Sequence, residues 1–139
     1  MKHVVYAFVL VLAVLAAGCD GTRKRETQSL ALALERFRLA SDADQAREAR
    51  NLEAVAVSDV DVARVKATCV EAVKATTEAI AIVAELKPLV ARVTRGEIAK
   101  DSAEALALGP RLDRADALLA KGKAGMPRCD DELRALQRR

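Results

Sequence analysis

The chain is poor in the side chains on which catalysis and aromatic recognition most often depend. Its 139 residues include no Trp, one Tyr, two Phe and one His. The His is His3 and the Tyr is Tyr6, so Phe37 is the sole aromatic side chain beyond the first twenty residues. The rest of the chain therefore lacks a Ser-His or Cys-His catalytic pair and the stacking aromatics common in nucleic-acid-binding proteins.

Several sequence patterns of known chemistry are missing as well. There is no Gly-rich phosphate loop, no HExxH and no Glu-x-x-His motif of the kind that builds di-iron sites. The net charge of +3 gives no basic surface for nucleic acid. We expect a non-enzymatic protein with no catalytic residues, no metal ligands and no cofactor. A carboxylate pair in a cleft is the one catalytic arrangement that the sequence leaves open.

The chain does have a long apolar run at its start. Fourteen consecutive apolar residues, Val4–Ala17, come after Lys2 and His3. As a helix this run would be roughly 21 Å long at about 1.5 Å per residue, which is shorter than the ~30 Å hydrocarbon core of a bilayer. Its length and its charged start are typical of a signal peptide that directs export and is then removed.

The apolar run ends in the sequence Leu15-Ala16-Ala17-Gly18-Cys19. These residues resemble the lipobox of bacterial lipoproteins, although Ala16 stands where that pattern most often has Leu. The resemblance covers residues 1–19 alone. It implies that residues 1–18 are a cleaved lipoprotein signal peptide and that Cys19 becomes the first residue, carrying a diacylglyceryl group on its sulfur and often an acyl chain on its amine. An ordinary cleaved signal peptide and an uncleaved short anchor are the alternatives.

The same resemblance implies a location. Lipidated Cys19 would hold the protein to a membrane of the bacterial cell envelope, facing the periplasm, because two or three acyl chains bind a bilayer far more firmly than one. Asp20 follows directly. In enteric bacteria an Asp at that place is associated with retention at the inner membrane, but other bacteria do not follow the rule reliably. The choice between inner and outer membrane therefore stays open.

Two further cysteines remain, Cys69 and Cys129. An exported chain enters an oxidising compartment, in which an even number of cysteines usually pairs. We therefore expect a disulfide between them, closing a loop of about 60 residues. A redox or metal-binding pair is the alternative, and the lack of CxxC spacing and of nearby His disfavours it.

The rest of the sequence predicts a short tether followed by helices. Residues 19–27 are expected to form the lipidated N-terminus and tether, whose three cations either attract anionic headgroups or are simply solvated. Residues 28–139 are expected to form one helical domain. Leu30, Leu34 and Phe37 recur at helical spacing, and a kink or a new helix start is expected at 41–44.

A second long helix is predicted from Ser58, because Ser58-x-x-Asp61 resembles a capping box. Pro88 is expected to kink or end this helix, and Gly96 to close it. Its seam alternates steps of four and three residues, as lengthwise packing against a neighbouring helix requires. The seam consists of Val65, Cys69, Ala72, Thr76, Ala79, Val83, Leu86, Val90 and Val93.

The last third of the chain is predicted to form several short helical segments. Residues 97–108 form a short segment, Gly109-Pro110 a hinge and residues 110–122 a helix. A Gly- and Pro-containing loop over 121–127 and a final helix capped by Asp130 or Asp131 complete the chain. No alternating β pattern occurs after the signal peptide. The expected fold is all-α, a small bundle of three or four helices after a cleaved signal peptide and a short tether.

Three functions are compatible with these features. The one we predict is a membrane-anchored, non-enzymatic envelope lipoprotein whose helices mediate protein-protein interaction with an unidentified envelope protein. The second is a structural lipoprotein that associates with itself, although the chain ends in Arg138-Arg139 rather than in the Lys through which such proteins are crosslinked to peptidoglycan. The third is a module that binds a lipid or another small apolar ligand between helices, or else an enzyme whose site the sequence does not reveal. No nucleic-acid partner is expected.

Overall fold

The computed structural model describes residues 2–139, with side chains described from Gly21 onward. Four long helices and one single-turn helix make up most of this range, and no β-strand occurs in it. The predicted all-α bundle is confirmed. The helices are α1 (Lys2–Leu39), α2 (Asp42–Glu53), α3 (Val60–Thr94), α4 (Ala103–Leu106) and α5 (Leu108–Gln137).

Helices α3 and α5 form a long antiparallel hairpin, and their interface is the most extensive in the bundle. The middle of α1 lies beside the start of α3, where Arg23 pairs with Asp59. Helix α2 returns alongside α3, so that Glu53 near its end pairs with Lys74 of α3. The first part of the hairpin is thus covered by α1 and α2, whereas its far end is a two-helix structure closed by α4.

The hydrophobic core lies where all four long helices meet. Leu30, Leu34 and Phe37 supply the face of α1 and are at most 4% exposed, as their spacing predicts. Leu52 of α2 is fully buried beside them. The remaining members are small and aliphatic, together with one pair of cysteines: Ala33, Ala49, Val62, Val65, Cys69, Val73, Cys129, Leu133 and Leu136.

A new helix begins at residue 42, within the segment where the sequence predicts a kink or fresh start. Ser41 has an extended backbone conformation, with φ −64° and ψ 158°, and is the N-cap of α2. Its Oγ donates to Oδ2 of Asp44 at 2.8 Å. Two acidic residues in the first turn, Asp42 and Asp44, are favourably placed at the positive end of the helix dipole.

Helix α3 starts one residue later than the predicted capping box. Its N-cap is Asp59, whose Oδ1 accepts from the backbone amides of Asp61 at 2.9 Å and Val62 at 3.1 Å. Ser58 instead donates its hydroxyl to Glu26 of α1 at 2.6 Å. The sequence-local prediction is wrong at this point because Ser58 has a hydrogen-bond partner on another helix.

Helix α3 does not end at Pro88 but continues to Thr94. Pro88 and the residue four positions before it, Ala84, are both exposed. Water can therefore reach the carbonyl that loses its helical partner. Gly96 closes the helix as predicted, with φ +76° and the paired bonds from Gly96 N to Val93 O (3.0 Å) and Glu97 N to Arg92 O (2.9 Å) of a Schellman motif.

The last third of the chain differs most from the sequence prediction. Residues 97–108 contain the single turn α4, and α5 then runs without interruption for 30 residues. The predicted hinge at Gly109-Pro110 lies in the first turn of α5, where a missing N–H breaks no helical bond. The predicted loop over 121–127 and the separate final helix are wrong, because both segments belong to α5.

Close approach to α3 explains why glycines stand inside α5. A Cβ added to Gly122 would lie 2.2 Å from Oγ1 of Thr76 and 3.1 Å from the backbone oxygen of Ala72. A Cβ added to Gly125 would lie 2.8 Å from Cβ of Ala72. These glycines let two helix backbones come together, at a cost in intrinsic helix propensity.

The predicted disulfide is present one turn further along this contact. Cys69 of α3 and Cys129 of α5 are bonded, with Cα atoms 4.9 Å apart and both side chains fully buried. The bond joins residues 60 positions apart in sequence. A loop of that length corresponds to about 4 kcal/mol of stabilisation in the chain-entropy treatment, which is large beside the net stability of a small domain.

The predicted seam of α3 is buried over only part of its length. Val65, Cys69, Ala72, Ala79 and Leu86 are at most 3% exposed. Val83 is 50% exposed and Val90 38% exposed. The predicted packing seam is therefore covered incompletely at these two valines, which lie where the hairpin extends beyond α1 and α2.

Replacing Gly122 with Ala tests the close approach. We expect the free energy of unfolding to fall by about 1–3 kcal/mol, because the new methyl group meets backbone as well as the Thr76 side chain. Chemical denaturation monitored by circular dichroism measures the change.

Gly109→Ala is the matched control, since a Cβ there has nothing within 4 Å. It should leave stability unchanged or raise it by up to about 1 kcal/mol, the ordinary Gly-to-Ala difference in a helix. Equal effects of the two substitutions would contradict the packing explanation.

Candidate functional site

The predicted lipidation site, Cys19, lies outside the residues whose side chains the structure describes, so its modification stays a prediction. The first described side chains lie in α1 at one end of the bundle. That end also contains the start of α3 and the C-terminal residues of α5, and we call it the base. Residues 21–27 are helical here, which differs from the tether expected from the sequence.

Contacts with α3 explain why this polar segment is ordered. Arg23 Nε lies 2.9 Å from Oδ2 of Asp59, and its Nη2 lies 3.3 Å from Oδ2 of Asp61. Arg139, at the other end of the sequence, places Nη1 3.7 Å from the same Asp61 oxygen. Two acidic side chains at the start of α3 thus tie both α1 and the last residue of the sequence to the base.

Glu26 makes the second set of bonds at the base. Its carboxylate accepts from Ser58 Oγ at 2.6 Å, from Ser58 N at 2.9 Å and from Asp59 N at 3.0 Å. These donors belong to the turn before α3 and its N-cap, where backbone N–H groups have no helical partner. One glutamate of α1 thereby fixes the position at which α3 begins.

The same bonds lower the pKa values of both carboxyl groups. Hydrogen bonds from the Ser58 hydroxyl and the Asp59 amide hold the pKa of Glu26 below its ordinary value. The Arg23 guanidinium, followed by the Val62 amide, holds the pKa of Asp59 below its ordinary value. Each shift arises because these donors favour the charged form of the carboxyl group.

A groove with an apolar floor lies further along the hairpin. Its volume is about 510 Å³, and it is bounded by the first turn of α2, the middle of α3 and the facing part of α5. Small and aliphatic side chains form its floor and polar ones its rim. The lining residues are Asp42, Ala43, Ala79, Ile80, Val83, Ala84, Lys87, Ala115, Asp116 and Leu119.

Apolar surface continues from the groove toward the tip of the hairpin. Val90 lies two turns beyond Val83 on α3, and Leu112 two turns before Leu119 on α5, so each shares a face with a groove residue. Val90 is 38% exposed and Leu112 is 37% exposed. The hairpin therefore carries a run of uncovered aliphatic side chains that is longer than the groove itself.

Local sequence signals do not identify this surface. Val83 and Val90 fit the predicted packing seam, and Leu112 and Leu119 fit an ordinary helix face. These side chains lie where the hairpin extends beyond α1 and α2, and this leaves part of their surface uncovered. No signal in the sequence alone could have distinguished them from core residues.

Among the residues with described side chains, no group of three or more His, Cys, Asp or Glu is placed to hold a metal ion. The described part of the chain also contains no helix long and apolar enough to cross a membrane. The carboxylate pair Asp130 and Asp131 faces cations, since Arg38 pairs with Asp130 and Arg134 lies 2.6 Å from Asp131. The pair at Asp42 and Asp44 lies in the first turn of α2.

Comparison with protein-family models, with curated proteins and with solved structures finds no match to this chain. The function of this chain is therefore inferred from its fold and its surfaces.

The lowered pKa of Glu26 predicts acid sensitivity at the base. A carboxyl group whose pKa is lower in the folded protein adds stability above its unfolded pKa, and this stability is lost as the pH falls through the folded pKa. Glu26→Gln should lower the melting temperature at pH 7 and reduce the further drop between pH 7 and pH 3. Differential scanning calorimetry across this range measures both effects.

Glu35→Gln is the control. Glu35 is exposed on α1 and forms no ion pair among the described side chains, so the acid-induced drop should match that of the unaltered protein. An equally large drop in the Glu26→Gln protein would show that Glu26 does not contribute to the acid sensitivity.

Proposed function

We propose that the protein is a non-enzymatic envelope lipoprotein, anchored through lipidated Cys19, and that the groove of its helical hairpin binds a protein partner. The groove with its uncovered aliphatic side chains is the observation that carries the proposal. The lipobox-like sequence at residues 15–19 is the support for the anchor, and the export it implies fits the buried disulfide between Cys69 and Cys129.

The position of the groove suits an anchored adaptor. Arg23 lies beside Asp59 at the base, and the groove begins at Ala79, twenty residues further along α3. At about 1.5 Å per helical residue, the groove stands roughly 30–40 Å from the base. An anchor at Cys19 would hold the base at the bilayer and present the groove well above the headgroups.

The chemistry of the groove suits an amphipathic helix of a protein partner. Its floor of Ala, Ile, Val and Leu side chains accepts an apolar face, and the small residues Ala79, Ala84 and Ala115 permit close approach. Asp42, Asp116 and Lys87 at the rim can pair with charged side chains on either side of that face. This combination is typical of recognition by a helix bound in a groove.

One observation supports the alternative that the groove binds a small apolar ligand. A volume of about 510 Å³ lies within the ~300–1,000 Å³ range of small-molecule sites. Such sites enclose most of the ligand, whereas here Val83 is half exposed and the apolar surface runs on to Val90. The open form of the surface favours an extended partner.

Val83→Glu tests the groove. Full-length tagged protein, crosslinked in its native envelope, should capture a discrete partner, and the charge at position 83 should reduce its recovery at least tenfold. A tenfold loss of affinity corresponds to about 1.4 kcal/mol, and burying an unpaired carboxylate in an apolar interface costs at least that much. Mass spectrometry of the captured material identifies and quantifies the partner.

Leu32→Glu is the matched control, because Leu32 is also 50% exposed but lies on α1, away from the groove. It should leave capture unchanged. A Cys19→Ser protein should leave the membrane and lose a membrane-bound partner. If only this chain is recovered, the protein associates with itself and the adaptor proposal is wrong. If native mass spectrometry of the purified protein shows a bound apolar molecule, the groove is a ligand-binding site instead.

A further inference from the structure

A second cavity lies at the base, between the middle of α1 and the end of α5. Its volume is about 480 Å³, and Leu136 forms an apolar part of its wall. The remaining lining side chains can all donate hydrogen bonds. They are Arg23, Lys24, Thr27, Gln28, Gln137 and Arg139.

Thr27 is the most informative of these residues. It is only 3% exposed, and it is the one buried polar residue among the described side chains. Its Oγ1 has no hydrogen-bond partner in the part of the chain whose side chains are described. Burying a hydroxyl without a partner costs free energy, and nearly all buried polar groups in proteins are paired. Thr27 lines the cavity, and its Oγ1 has less than 1 Å² of accessible surface. A Thr side chain in a helix has two favoured rotamers, so rotation about the Cα–Cβ bond would turn this hydroxyl toward a ligand oxygen.

The charges around the cavity select an anion. Arg23 is held by Asp59 and Asp61, and Arg139 has Asp61 at 3.7 Å. Lys24 forms no ion pair among the described side chains. Three cationic side chains and no acidic side chain line the cavity, and the planar guanidinium of Arg139 still has donors to offer.

We propose that this cavity binds a phosphate group. The donors come from α1 and from the end of α5 with the residues that follow it, and so approach the cavity from different sides. They are the hydroxyl of Thr27, the amides of Gln28 and Gln137 and the cations of Lys24 and Arg139. A tetrahedral phosphate presents several acceptor oxygens to such a set, and charge-assisted bonds to it are strong. The phosphate belongs either to an anionic phospholipid headgroup or to a free phosphate ion.

The base is where a headgroup would lie if the chain is anchored. Gly21, the first residue with a described side-chain environment, is in the same turn of α1 as Lys24. Leu136 gives the cavity an apolar wall beside its donors. The assignment of the phosphate group to a lipid headgroup rests on the proposed anchor at Cys19. The phosphate site itself does not depend on that anchor.

Titration of the full-length protein in uncharged detergent tests the site. Inorganic phosphate and a soluble short-chain phosphatidylglycerol are added in separate experiments, and backbone amide NMR shifts of residues 24–28 and 136–139 are followed. At least one probe should produce saturable shifts at these positions. Saturation by phosphatidylglycerol alone assigns the headgroup as ligand, and saturation by inorganic phosphate shows that the phosphate group suffices.

Two variants and a control decide whether the cavity is responsible. Lys24→Gln should weaken binding about tenfold, and Thr27→Val at least fivefold. Lys100→Gln removes the same charge at the far end of the hairpin and should leave affinity unchanged. Thr27→Val should also raise the melting temperature of the ligand-free protein by about 2–4 °C, because it removes an unpaired buried hydroxyl.

Three results would overturn the proposal: no saturable shift with either probe, unchanged affinity in the Thr27→Val protein, or equal weakening by Lys24→Gln and Lys100→Gln. Partner capture through the groove is measured on a different surface. Failure of the phosphate site and failure of the proposed function are therefore distinguishable.

Discussion

The close contact between the backbones of α3 and α5 is the constraint on which the rest of the structure depends. It is made by small side chains, with Gly122 and Gly125 against Ala72 and Thr76, and it is closed covalently at Cys69 and Cys129. A chain whose core contains one aromatic residue has little large apolar surface to bury. Dense contact between small residues and a disulfide across a long loop supply stability that larger side chains would otherwise provide.

The same contact determines which surfaces remain for binding. The paired helices α3 and α5 extend beyond α1 and α2, and the aliphatic side chains around Val83 lie uncovered near the start of α2. At the opposite end, α5 returns its last residues to the base, where Arg139 and Thr27 line a common cavity. The groove and the cavity are thus products of one long hairpin.

Local patterns in the sequence predict the helical class, the face formed by Leu30, Leu34 and Phe37, the break near residue 41 and the Gly96 helix end. They fail where a residue has a distant partner. Gly122 and Pro127 are typical of a loop, yet they lie inside α5 because the glycine packs against α3 and the proline is exposed. The polar segment 21–27 is helical because it contacts α3, more than thirty positions away.

Neither candidate site could be predicted from the sequence, because each joins residues from separate helices. Hydrogen exchange of backbone amides across residues 118–132 tests the central claim most directly. A continuous α5 packed on α3 predicts slow exchange throughout this segment, comparable to that at Cys69 and Val73 in the core. Fast exchange confined to residues 121–127 would show a loop between two helices and would contradict the hairpin on which both sites depend.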